Sequence, residues 1–286
     1  MTEIKPLVSI PHLRSPWKGG ETVYVCARLG LLTGQELERG SPERNTLYKA
    51  AKFGGNHDAG QRLVSACISD RVLDRLIDDV EGHMAEKIPI VCVVPHPPFY
   101  DVGGGGADLP RKAKVTNTLP LQYAAHLATV LDGTIDTEIV QKARVGRTVL
   151  TAFPRLLWQP AFDGAVRRDV AYIIVDDVLT VGGTIAALRS YIIRTGGTVV
   201  GYTTLAHRTG EFRPLALSDA TWQQLWSLYG SGLGSFWERE IGHDARYLSE
   251  AEGSYLAKWG FEQGRTGQPL LDQLRDRLAE AAAKGV

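Results

Sequence analysis

The chain reads as an α/β protein: a parallel sheet with helices on both faces, extended by a helical C-terminal addition. Three observations predict this. Apolar runs of strand length alternate with helix-patterned segments between about residues 45 and 210, which calls for parallel strands joined by crossover helices. The segment "YIIV" at Tyr172–Val175 is apolar at every position, as a strand covered on both faces must be. Past residue 210, "TWQQLWSLY", "LSEAEGSYLAKWGF" and "LLDQLRDRLAEAAAK" carry helical spacing.

Taken in order, residues 1–44 form an N-terminal extension with one strand signal, "TVYVCARLG", expected as a hood or an edge strand. From Asp58 to Val80 the apolar positions predict one helix with a single buried stripe. "IPIVCVVPHPP" reads as a buried strand closed by prolines. The stretch "FYDVGGGGADLPRKAKVTNT" shows no periodicity, so a long loop is expected there. "LPLQYAAHLATVLDG" has Pro near its start and Gly just past its end, as helices prefer. A weaker strand "TIDTEIVQ" follows, then the strand "DVAYIIVDD", the helix in "GGTIAALRSYIIRTGG" and the strand "TVVGYTTLAHR". These make a core over 45–210. The addition, 211–286, has a capping box at Ser249 and Glu252. It is expected as a hood over a ligand or as a homodimer contact. Trp222, Trp226, Trp237 and Trp259 are read first as helix-packing residues.

Composition narrows the class of function. The 286 residues carry 32 basic and 32 acidic side chains, so net charge gives no pull toward nucleic acid or an anionic membrane. No apolar run is long enough to span a bilayer, and the first residues lack the pattern of a signal peptide. Cys26, Cys67 and Cys92 are scattered and odd in number, which suits a reducing cytoplasm rather than a disulfide framework or a zinc site. The seven histidines form no ligand-like cluster.

The informative stretch is "YIIVDDVLTVGGTIAAL". Ligands of open parallel sheets bind beyond the carboxyl ends of the strands, where Asp176 and Asp177 stand. Two buried carboxylates left unpaired would cost several kcal/mol, roughly, so they are expected to face solvent or a hydrogen-bonding ligand. Thr180, Val181, Gly182, Gly183 and Thr184 then lead directly into a helix. Backbone N–H groups of such a loop and the positive helix end make an anion cradle. Acceptors for hydroxyls thus sit beside donors for a phosphate. A sugar phosphate fits, and phosphoribosyl pyrophosphate (PRPP) fits well. No G-x-x-x-x-G-K-[ST] loop is present, and "GSGLGS" at 230–235 is read as a linker, not a dinucleotide fingerprint.

Residues 172–184 resemble the signature of the type I phosphoribosyltransferases: apolar strand, two acids, two apolar residues, Thr-x-Gly-Gly-Thr. The resemblance implies that Asp176 and Asp177 hold the ribose hydroxyls and that Thr180–Thr184 hold the 5′-phosphate. It also implies a magnesium ion held mainly by PRPP, with no direct protein ligands. Over about residues 45–208 other segments resemble the ComF competence-protein branch. Lys52–Gly54 lie in an early Lys-Phe-Gly motif, and "VVPHPP" falls at the pyrophosphate loop. Arg144 and Thr148 match an R-x-x-x-T element, and Ala161–Phe162 match the Ala-Phe that follows. The branch's zinc-binding cysteines are absent, and a glycine-rich stretch replaces its Arg-Gly-Phe-Asn segment. By this resemblance Pro95 and His96 contact pyrophosphate, and Arg111, Lys112 and Lys114 are candidates for a cationic lid, the alternative being a solvated loop. Thr180 stands where transferases for 6-oxopurines carry Asp, which argues against such an acceptor. The function expected is transfer of the 5-phosphoribosyl group to a nitrogen acceptor of nucleobase type, releasing pyrophosphate. The alternatives are a non-catalytic PRPP- or nucleotide-sensing regulator, or a ComF-like partner in DNA uptake, for which the neutral net charge offers no support.

Overall fold

The structure, a computed structural model, describes residues 12–36, 41–95, 99–101, 112–114, 116–141 and 152–283. The first part of the chain forms β1 (Thr22–Arg28), α1 (Leu29–Thr33), α2 (Pro42–Phe53), α3 (His57–Cys67), α4 (Asp70–Ala85), β2 (Ile90–Val93), β3 (Phe99–Asp101) and β4 (Lys112–Lys114). Next come α5 (Leu119–Val130), β5 (Thr134–Ile135), β6 (Val140–Gln141), α6 (Ala152–Leu157), β7 (Phe162–Asp163), β8 (Ala171–Val178), α7 (Gly183–Arg194), β9 (Thr198–His207) and β10 (Phe212–Pro214). The chain ends in α8 (Asp219–Tyr229), α9 (Gly232–Glu240), α10 (Glu250–Glu262) and α11 (Gln268–Ala283).

Six strands form the central sheet in the order β10–β1–β9–β8–β2–β5, parallel except for β10. β8 lies near its middle and is buried along almost its whole length. Its alternate side chains therefore enter two different cores. Ile173 and Val175 join Leu76 of α4 and Tyr123 of α5 on one face. Tyr172 and Ile174 join Ile185, Leu188 and Ile192 of α7 on the other. This is the parallel sheet with helices on both faces that the apolar run predicts.

A third core gathers α8–α11 around the fully buried Trp237, with Phe153, Leu156 and Leu157 of α6 packed into it. Trp222 and Trp259 pack partly against this core, whereas Trp226 is half exposed. Among the described residues no helix is long and apolar enough to cross a membrane.

Several expectations are corrected. The sheet crosses both boundaries drawn at 44 and 210: β1 pairs with β9 on one side and β10 on the other, so it is interior. Val23 and Val25 are fully buried there, which an edge strand or a hood would not require. The helix expected over 58–80 is two, broken between Cys67 and Asp70, where Ile68 and Ser69 take extended angles. "TIDTEIVQ" splits, because β5 joins the main sheet while β6 pairs with β7. The stretch expected to be loop contributes the antiparallel pair β3–β4. The "GSGLGS" segment opens α9 rather than linking helices, since burial of Leu233, Phe236 and Trp237 outweighs the poor helix propensity of glycine.

Buried polar pairs stitch the N-terminal segment to the rest. Arg14 donates to both carboxylate oxygens of Glu252 in α10, and Trp17 Nε1 donates to Leu248 O at 2.8 Å. Arg189 of α7 donates to Ser15 O, Pro16 O and Glu21, and its guanidinium covers the Trp17 ring at 4.6 Å. The Arg14 and Glu252 side chains are 2% and 0% exposed, so removing one strands the other. Glu252→Ala should therefore destabilise the protein by about 3–5 kcal/mol. Lys258→Ala, which breaks the exposed contact with Glu262, should cost no more than about 0.5 kcal/mol. Urea denaturation of the two variants measures the difference.

Candidate functional site

Asp176 and Asp177 end the buried run of β8, at 6% and 4% exposure. Alternation along the strand sends them to opposite faces. Asp177 is not left to solvent. Lys52 Nζ from α2 forms an ion pair with its Oδ2, and Asn117 Nδ2 donates to the same oxygen at 3.1 Å. Asp176 turns back to accept from the Asp177 N–H through Oδ1, at 2.8 Å. The carboxylates thus meet part of their cost inside the protein, where solvent or ligand alone was expected.

The charges follow from this geometry. Burial, with the neighbouring Asp177 charge, pushes the Asp176 carboxyl from 3.8 up to about 8, and Lys52 pulls the other way. Burial by itself would lower the Lys52 pKa, but the charge and hydrogen bond of Asp177 outweigh it and leave it raised. Near neutral pH Lys52 keeps its proton and Asp176 holds on to one, which limits the repulsion between the adjacent acids.

β8 then gives way to the loop. Leu179 N still bonds to Ala206 O of β9, which carries the strand's direction into the turn. Gly182 caps α7 in the left-handed region, at φ +76. A Cβ there would lie 3.1 Å from Leu215 Cδ1 and 3.4 Å from Ser249 Cβ, so glycine serves both the angle and the close approach. The first N–H groups of α7 have no acceptor within their own helix, and the helix dipole adds positive charge at that end. Gly183 and Thr184 supply the first turn.

Two side chains from elsewhere brace the loop. Ser249 Oγ donates to Val181 O at 2.5 Å while also accepting from Glu252 N in the α10 capping box. Arg155 Nη1 of α6 donates to Thr180 Oγ1 at 2.7 Å. α6 and α10 both belong to the helical core around Trp237, so that core grips the outer side of the loop.

Of the residues singled out from sequence, Asp176, Asp177 and Thr180–Thr184 form one continuous structure. Pro95 is buried just beyond β2, whose Val93 pairs with Ile174, so it lies level with Asp176 on the adjacent strand. The backbones of Lys112 and Lys114 lie in β4. His96, Arg111, Arg144 and Thr148 fall outside the described residues. Lys52 was legible only as part of a short motif, and Ser249 only as a helix cap. Asn117 and Arg155 carry no sequence signal, because distant packing alone brings them to the site. Among the described residues no three or more His, Cys, Asp and Glu side chains cluster as a metal site.

No family model matches the chain. It is 30% identical over 273 residues to "Protein TraN" of Escherichia coli, covering 96% of this chain and 52% of that protein. It is 33% identical over 155 residues to an uncharacterized protein of Haemophilus influenzae, covering 54% of this chain and 30% of that one. The chain thus spans about half the length of the first relative and less of the second. Solved structures similar to it include an adenine phosphoribosyltransferase from Rhodothermus marinus, at 18% identity and a TM-score of 0.28, covering 48% of this chain and 67% of that one. A hypoxanthine phosphoribosyltransferase from Staphylococcus aureus gives 11% identity and a TM-score of 0.27, with the same coverages.

Two outcomes test this geometry. A folded-state pKa raised from 3.8 to about 8 means that the native protein holds a proton the unfolded chain has released. Stability of the ligand-free protein should then fall as pH rises from about 4 to about 8. Asp176→Asn should flatten that slope, read from urea midpoints across the range. Gly182→Ala should cost about 1–2 kcal/mol by the same measurement, from the left-handed angle and the contact with Leu215.

Proposed function

We propose that the protein is a phosphoribosyltransferase of the type I kind, binding PRPP and transferring its 5-phosphoribosyl group to a nitrogen acceptor. The observation that carries this reading is the unbroken path from the buried acids at the end of β8, through a glycine-capped turn, to the N-terminus of α7. Hydroxyl acceptors and anion donors stand there in the order that a ribose 5-phosphate presents its groups.

In this reading the ribose diol takes Asp176 and Asp177, and the 5′-phosphate takes the loop N–H groups with Thr180 and Thr184. Pro95 and His96 approach the diphosphate, while Arg111, Lys112 and Lys114 close over it and exclude water. The C1–O bond to diphosphate breaks and its electron pair leaves with the diphosphate. The acceptor nitrogen forms the C1–N bond with its lone pair, and an acceptor that carries an N–H releases that proton to water. Positive charge builds on the sugar ring beside the acids, so the chain's part is positioning and a fixed field. Lys52, already paired with Asp177, keeps a cation beside that charge-sensitive pair.

Magnesium would neutralise the departing diphosphate. Asp176 and Asp177 offer hard oxygens, but Lys52 and Asn117 already engage Asp177, which suits a cation that takes most of its ligands from diphosphate and water.

Calorimetric titration with PRPP and magnesium tests the proposal. Wild type should bind, and Asp176→Asn/Asp177→Asn should weaken binding by at least about tenfold. A folded wild type that does not bind PRPP would sink the reading. Pyrophosphate release in the presence of an acceptor separates an enzyme from a sensor.

A further inference from the structure

A cavity of about 390 Å³ adjoins the loop after β8. Its walls come from Leu179–Gly182, from His207 and Arg213 around the β9–β10 connection, and from the start of α10. It therefore lies where the sheet meets the C-terminal helices. The volume matches a small-molecule site, and Leu179, Leu215 and Ala251 give it apolar surface.

Most of its polar groups are already committed. Thr180 Oγ1 accepts from Arg155. Glu250, the carboxylate in the lining, accepts from Ser218 N at 2.7 Å and Thr221 Oγ1 at 2.5 Å, holding the start of α8. Ser249 Oγ serves Val181 O and Glu252 N. The His207 ring is fixed through Nδ1 by Thr209, which leaves Nε2 for the cavity. Arg213 is placed by its pairing with Val23 in the sheet and has no carboxylate partner among the described residues. Burial holds the His207 pKa below its usual value, against the Thr209 hydrogen bond, and the Arg213 charge pushes the same way as burial.

We infer that this cavity is the acceptor site, and that the acceptor is a nitrogen heteroaromatic ring bearing a carboxylate. The inference rests on the transferase reading above. The ring takes the apolar wall, and Arg213, whose planar fork matches a carboxylate, takes the charge beside His207 Nε2. Thr180 is common to the cradle and the cavity, so a ring held there adjoins the proposed sugar-phosphate site.

Matched probe pairs test it: nicotinate against nicotinamide, and orotate against uracil, titrated calorimetrically with and without PRPP and magnesium. At least one acid should bind about tenfold or more tightly than its neutral counterpart. Arg213→Gln should erase that preference, Arg213→Lys should keep part of it, and both should bind PRPP as wild type does. Arg213 is partly exposed on a short edge strand, and circular dichroism verifies that the variants fold. Absence of any preference for the acids overturns the inference. So does a loss of PRPP affinity in Arg213→Gln, which would assign this cation to the 5′-phosphate. If wild type fails to bind PRPP yet shows the Arg213-dependent preference, the transferase reading falls and the anionic-ring cavity stands.

Discussion

The ion pair between Lys52 and Asp177 is the interaction on which the site depends. A strand buried on both faces has no reason to end in two acids unless something compensates them, and here a lysine from a helix far away in sequence does so. One cation cannot fully serve two carboxylates. The shortfall appears as the raised pKa of Asp176, whose first cause is burial and whose second is its charged neighbour. The ligand-free protein thus holds a pair of acids at an expense that a diol with hydrogens to donate would relieve. That relief links the energetics of the fold to the proposed ligand.

The loop after the acids is held from outside. Ser249 fixes the Val181 carbonyl, Arg155 fixes the Thr180 hydroxyl, and Leu215 presses against Gly182. These contacts come from the helical core and from the edge of the sheet, with Arg14 and Glu252 locking the N-terminal segment onto the same helix. In the proposed role of this loop as an anion cradle such bracing favours binding, since donors already in place need no reordering. The C-terminal helices are therefore part of the site's support and not an appendage to the core.

The fold class was legible because β8 announces itself: no alternating strand reads "YIIV", and the helix that follows begins at a glycine pair. Asp176, Asp177 and the loop were legible for the same reason, being contiguous. Lys52, Asn117, Arg155 and Ser249 were not, because each reaches the site from another element and only tertiary packing sets its distance. The interior position of β1 escaped for a related reason. Its apolar alternation fits an edge or an interior strand equally, and its partner β9 lies about 180 residues further on. The short β10 gave too few residues for any pattern.

The most direct measurement is a crystal structure of the protein with PRPP and magnesium. The account predicts the ribose hydroxyls on Asp176 and Asp177, with the 5′-phosphate against the N–H groups of Val181–Thr184 at the start of α7. A phosphate bound elsewhere, or a sugar whose hydroxyls make no contact with Asp176 or Asp177, would contradict it.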